Sequence, residues 1–236
     1  TWVARRSGRC VGRISGQFDR LQQEYHDDLA GSFGMFECED DPQVARALFD
    51  TAADWLRGHG ARCVRGPLNL SLNEECGLLV EGFDTPPSIM MGHARPYYDA
   101  LLRGCGLERS RDLLAYRVAP DFEAPRVMRR LAESISGQVR VRPLNRRDKA
   151  RELEILRDIF NDAWSQNYGF VPFTVEEFND VGKLMTLLLP ADYVQIAEVD
   201  GEPAAFIVAM PNINEVTAGL RGRLLPVVFL SSVLHG

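Results

Sequence analysis

The sequence lacks the arrangements of cysteine and histidine that build metal centres. It contains five cysteines and four histidines in 236 residues, with no C-x-x-C pair and no two histidines at metal-ligand spacing. The cysteines are scattered and odd in number, which indicates reduced thiols rather than a disulfide framework. We therefore expect a cytoplasmic protein without a metal site.

Long hydrophobic runs and an excess of positive charge are also missing. No apolar run is long enough to span a bilayer. The net charge is -6 and the pI is near 5.3, which argues against nucleic acid or a membrane as a partner. A composition of 45% hydrophobic and 25% charged residues is typical of globular proteins, and the length suits one large or two small domains.

Helical periodicity is clearest after Asp41. Asp41 is a good N-cap and Pro42 suits the first helical position, so a helix is predicted over 42–57. Apolar residues at helical spacing predict that one stripe of this helix is buried against a sheet. The stripe consists of Val44, Leu48, Ala52 and Trp55.

Alternating apolar residues around Ser7-Gly8 and Asp200-Gly201 predict two β-hairpins, and 112–118 is predicted to be a strand. Two prolines mark 119–137 as a linker with a helical middle. Beyond it, Thr174 and Glu177 have the spacing of a capping box and predict the start of a helix.

The segment 62–87, RCVRGPLNLSLNEECGLLVEGFDTPP, is unusually polar for one that also carries so many leucines. Polar groups held near a core must be hydrogen-bonded, so these side chains either brace the fold or line a cleft. The candidates for substrate contact in this segment are Asn69, Ser71 and Asn73. Glu74 and Glu75 suit a general base, and they also suit the structural role of carboxylates placed against the dipole at the start of a helix or turn.

The segments VRVRPLNRRD (139–148) and YYDALLRGCGL (97–107) each carry a recognisable motif. The first is similar to the opening strand and turn of the GNAT N-acetyltransferase superfamily, and the second resembles that family's Y-x-x-L-x-x-x-G-F helix end. NEECGLLVEGFDTPP (73–87) resembles a bacterial group with two tandem GNAT-like domains. The resemblance implies an α+β fold, a mixed and mostly antiparallel twisted sheet flanked by helices. It divides the chain into 1–118, a linker at 119–137 and a second, partial domain at 138–236, and it implies that the chain is an incomplete stretch of such a protein.

The resemblance also implies an activity, the transfer of an acyl group from acetyl-CoA to a small-molecule amine or a peptide. Glu74 or Glu75 would take the proton of the amine, and Tyr98 would protonate the departing thiolate. Tyr97 and His93 are further candidates for substrate contact. The alternative is a degenerate GNAT-fold module kept for binding or for an interface, either between the two domains of the chain or in a homo-oligomer.

The family's loop for the coenzyme A pyrophosphate is not recognisable in this chain. That loop has the pattern Q/R-x-x-G-x-G/A and presents backbone N–H groups at a helix start. The corresponding segment, ECEDDPQ (37–43), has no glycine, and three acids, Glu39, Asp40 and Asp41, lie directly before Pro42. We therefore predict that this region does not bind acetyl-CoA tightly.

Overall fold

The computed structural model describes residues 1–118 and 121–217, except for the side chains of Leu188 and Val216. These residues form two compact units, 1–113 with a short helix after Asn212, and 114–211. Each is described by itself. Residues 218–236, the end of the predicted second domain, lie outside the described residues.

The first unit contains one main sheet and a small two-stranded sheet. Its elements are β1 (Trp2–Arg6), β2 (Arg9–Gln17), α1 (Arg20–His26), β3 (Ala30–Cys38), α2 (Pro42–Gly58), β4 (Cys63–Arg65), β5 (Leu68–Asn69), β6 (Glu75–Cys76) and α3 (Tyr98–Gly104). The main sheet has the order β1-β2-β3-β4. Its first two pairings are antiparallel and β3 pairs with β4 in parallel, which confirms the prediction of a mixed, mostly antiparallel sheet.

Helix α2 begins where the sequence predicted. The Asp41 carboxylate accepts hydrogen bonds from the backbone N–H of Gln43 at 2.8 Å and of Val44 at 3.3 Å. The helix packs closely on glycines of β2 and β3. A Cβ at Gly31 would lie only 2.6 Å from the Leu56 side chain, so the glycine is what permits this close packing. The core of the first unit lies between this helix and the sheet, and its most buried side chains include Ile14, Phe33 and Leu56.

The prediction that Trp55 belongs to the buried stripe is wrong. Trp55 is 37% exposed, whereas its neighbour Leu56 is fully buried. The Trp55 ring meets Trp2 edge to face, with ring centroids 5.8 Å apart, and stacks beside His59. The helix is rotated so that Leu56 faces the sheet over Gly31, which leaves Trp55 at the border of the core.

This placement predicts different costs for two adjacent substitutions. Leu56→Ala should lower the free energy of unfolding by about 2–5 kcal/mol, because it opens a cavity under α2. Trp55→Ala should cost only about 1–2 kcal/mol, the loss of a half-covered aromatic contact. Urea unfolding of both variants measures the two values. An equal or larger cost for Trp55→Ala would contradict the placement of its ring.

The second unit contains a three-stranded antiparallel sheet in the order β7-β8-β9. Its elements are α4 (Arg126–Ile135), β7 (Val139–Pro143), α5 (Lys149–Trp164), α6 (Val175–Leu188), β8 (Val194–Val199) and β9 (Glu202–Val208). The predicted capping box is confirmed, since Thr174 and Glu177 exchange both of its hydrogen bonds at the start of α6. A last helix, α7 (Ile213–Thr217), groups with the first unit. The α+β fold class predicted from the sequence is therefore confirmed.

The predicted strand at 112–118 is wrong, because this segment forms neither helix nor strand. It is rich in apolar residues, but Leu114, Tyr116 and Val118 are all more than two-thirds exposed. Within the described residues, no strand pairs with this segment. A short apolar segment does not form a strand when no neighbouring strand pairs with its backbone.

Candidate functional site

The candidate site lies where β3 and β4 separate. The two strands pair over only three positions, from Ala30 and Cys63 to Ser32 and Arg65. After that point the chain turns into β5, which passes very close to β3. A Cβ at Gly34 would lie 1.8 Å from the carbonyl oxygen of Leu68. A glycine in β3 therefore permits this contact between two backbones.

Met35, the next residue of β3, departs from strand geometry. Its φ is 47°, a left-handed conformation that is uncommon for residues other than glycine. The register between β2 and β3 shifts at this position, as expected for a β-bulge. The Met35 N–H donates a hydrogen bond of 2.6 Å to the Asn69 side-chain oxygen. Such local strain is enriched at functional sites.

Asn69 connects the bulge to a carboxylate. Its amide nitrogen donates to Glu75 Oε2 at 2.9 Å, and the two residues face each other across the β5–β6 pair. Both side chains are only half buried. The structure therefore brings together two of the predicted residues, an amide fixed by the backbone and a carboxylate oriented by that amide.

A row of polar side chains, which the sequence did not predict, adjoins this pair. Gln17 donates to Ser15 Oγ at 3.1 Å and to the Leu68 carbonyl at 3.4 Å, and it accepts from Ser32 Oγ at 3.3 Å. Both serines are buried. The available signal was the alternation of Arg13, Ser15 and Gln17 along β2, which places three polar side chains on one face of the strand.

The remaining candidates of the central segment lie in the turn between β5 and β6. Ser71 accepts a hydrogen bond from the backbone of Asn73 at 3.2 Å, and its carbonyl accepts from the Glu74 N–H at 3.3 Å. These three residues are half buried and stabilise their own turn. His93 is exposed in the following loop. The sequence left open whether the side chains of this segment brace the fold or line a cleft. Both alternatives have support, since Asn69 braces β3 and the Glu75 side chain remains partly exposed.

The two tyrosines at the start of α3 are held by the end of β3. The Tyr98 hydroxyl donates to Glu37 Oε2 at 2.6 Å and accepts from the Cys38 N–H at 3.2 Å. The Tyr97 hydroxyl donates to the Cys38 carbonyl at 3.0 Å. Burial, reinforced by the Glu37 carboxylate, raises the pKa of Tyr98 far above its usual value. These contacts favour a structural role for Tyr98 over the role of proton donor.

The start of α2 is occupied by side chains. Asp41 fills the N-cap, as described above, and Pro42 supplies no N–H. Arg6 pairs with the Asp41 carboxylate at 2.7 Å, and Arg9 pairs with Glu39. The Arg6 guanidinium, through its hydrogen bond, lowers the pKa of Asp41. Two of the three acids directly before Pro42 are thus paired with arginines, an arrangement that the sequence did not predict.

Among residues 1–118 and 121–217, no group of histidine, cysteine or acidic side chains is placed to hold a metal ion. Over the same ranges, no helix has the length and apolarity needed to cross a membrane.

Comparisons with known proteins give two relatives that cover most of the chain. The chain is 45% identical over 226 residues to Protein YghO of Escherichia coli (strain K12), an alignment that covers 95% of this chain and 58% of that protein. It is 42% identical over 227 residues to a protein named Bacterial ceramide synthase from Caulobacter vibrioides, covering 95% of this chain and 59% of that protein. The chain therefore spans less than two-thirds of these relatives. No family model and no solved structure matches it.

Proposed function

We propose that this chain is part of an acyltransferase that joins an acyl group to an amine acceptor. The observation that carries the proposal is the 42% identity to the bacterial ceramide synthase over 95% of the chain. A ceramide is the amide of a long-chain amino alcohol and a fatty acid, so its synthesis transfers an acyl group to an amine. Because the chain spans 59% of that relative, the activity is proposed for a longer protein that contains this chain.

The proposed donor is an acyl thioester of coenzyme A. The resemblance of 97–107 and 139–148 to the GNAT superfamily supports this donor class and suggests acetyl-CoA, whereas the name of the relative favours a longer acyl chain. Asp41 and Pro42 leave few free N–H groups at the start of α2. We therefore place the pyrophosphate of the donor on another part of the longer protein.

The proposed step is direct attack of the amine nitrogen on the thioester carbonyl. A C–N bond forms, the C–S bond breaks, and the thiolate leaves. Glu75 takes the proton that the amine loses, because its carboxylate is oriented by Asn69 and remains partly open. The Asn69 side chain is itself fixed by the Met35 N–H, so the base has a defined position relative to β3.

The second candidate is a binding or interface module without catalytic activity. The capped, proline-containing start of α2 favours it, because the first unit then lacks the anion site that the resemblance would require. The two candidates differ in whether Glu75 acts on a substrate or only stabilises the β5–β6 turn.

The test is an assay of the longer protein with a long-chain amino alcohol and a series of acyl-CoA thioesters from acetyl to long-chain. We expect an amide product by mass spectrometry, together with release of one free thiol per amide. Hydrolysis of the thioester without amide formation, or no turnover of any thioester in the series, would contradict the proposal.

A further inference from the structure

Helix α4 (Arg126–Ile135) is a fully exposed amphipathic helix. Every one of its residues is exposed, and none belongs to either hydrophobic core. Yet four of its side chains are large and apolar. They are Val127, Met128, Leu131 and Ile135, with exposures from 47% to 68%. A ten-residue helix is marginal in water by itself, so a binding partner that covers its apolar face would stabilise it.

The apolar and charged residues of α4 lie on opposite faces. At 3.6 residues per turn, the four apolar side chains fall within roughly 100° of the helix circumference. Arg126, Arg129 and Arg130 occupy the other side, and Glu133 is the one acidic residue of the helix. This division, with arginines on the polar face, is the pattern of helices that lie in the interface of an anionic bilayer.

We propose that α4 binds the surface of a membrane containing anionic phospholipids, with its apolar face in the acyl-chain boundary. The positive charge of the helix favours a lipid surface over a protein as its partner. A second protein segment would cover the apolar residues, but it would leave the arginines unexplained. An anionic lipid surface satisfies both faces, since each arginine near the headgroups adds electrostatic attraction. The net charge of the whole chain is -6, and on that basis no membrane partner was predicted. This total does not reflect the local excess of positive charge on α4.

The inference is independent of the proposed acyl transfer, because it rests on α4 alone. It would also bring the proposed reaction to a membrane surface, where long-chain acceptors reside. No covalent step is involved, and the helix would lie on the bilayer rather than cross it.

The experiment is co-sedimentation of the 236-residue chain with vesicles of phosphatidylcholine, with and without phosphatidylglycerol. We expect binding to the anionic vesicles that weakens as salt is raised. The double variant Arg129→Gln/Arg130→Gln should lower the partition coefficient on the order of twentyfold, since each basic residue near the surface contributes about fivefold. Leu131→Ser should lower it on the order of tenfold.

The matched control is Arg147→Gln/Arg151→Gln, which removes the same charge from exposed positions outside α4 and should leave most of the binding intact. Thermal melts of all variants check that they fold like the unsubstituted chain. Absence of binding to anionic vesicles would overturn the proposal, as would equal losses in the two double variants. A dimer in solution that Leu131→Ser dissociates, with no vesicle binding, would show that a second copy covers the helix instead.

Discussion

Gly34→Ala is expected to separate β5 from β3 and to destabilise the first unit by roughly 1–3 kcal/mol or more. The added Cβ would lie 1.8 Å from the Leu68 carbonyl oxygen and 2.6 Å from its carbonyl carbon. Both are backbone atoms, so no side-chain rotation relieves the clash. Strand β5 must move, and Asn69 moves with it, which breaks the hydrogen bond to the Met35 N–H. In the longer protein, acyl transfer should therefore fall together with stability.

Gly58→Ala is the matched control for this substitution. Gly58 is the last residue of α2, and a Cβ there would meet nothing within 4 Å. Alanine is the better helix former, so stability should be unchanged or raised by up to about 1 kcal/mol. Chemical denaturation of both variants measures the difference. If Gly34→Ala behaves like Gly58→Ala, the close approach of β5 to β3 is not a feature of the folded protein.

The features that the sequence predicted are those with local causes. Helix α2 starts at Asp41 and Pro42, because an N-cap side chain and a proline act on the backbone within one turn. The capping box of α6 depends on two residues three positions apart. The Asp200-Gly201 hairpin likewise has both of its determinants between the paired strands.

The features that the sequence did not predict depend on partners far away in the chain. The exposure of Trp55 follows from the rotation of α2 over Gly31, which no helical pattern specifies to within one residue. The bonds of Asn69 to Met35 and of Gln17 to Leu68 join residues 34 and 51 positions apart. The sequence could therefore indicate that the central segment is hydrogen-bonded, but not to which strand.

The same limit applies to the choice between two adjacent acids. The sequence offered Glu74 and Glu75 as equal candidates for the base. The structure distinguishes them, because the Glu75 side chain accepts from Asn69, whereas the Glu74 backbone N–H donates within the turn to Ser71. Strand pairing of Asn69 with Glu75 produces this difference.

Glu75→Gln is expected to reduce kcat for acyl transfer in the longer protein by about 10²- to 10⁴-fold, the usual contribution of a positioned general base. The fold should survive, because the glutamine carbonyl can still accept the hydrogen bond from Asn69. KM should change little, since the side chain keeps its size and loses only its ability to take a proton. Steady-state kinetics with the amine acceptor, alongside a thermal melt, measures both effects.

Glu74→Gln is the control, since it makes the same chemical change one residue away in the same turn. It should retain nearly the activity of the unsubstituted protein, because its carboxylate has no part in the proposed step. A loss of activity in Glu74→Gln with none in Glu75→Gln would assign the proton transfer to Glu74. Full activity in both variants would show that neither carboxylate takes the proton. In that case the polar cluster between β3 and β5 serves the fold, as the second candidate function requires.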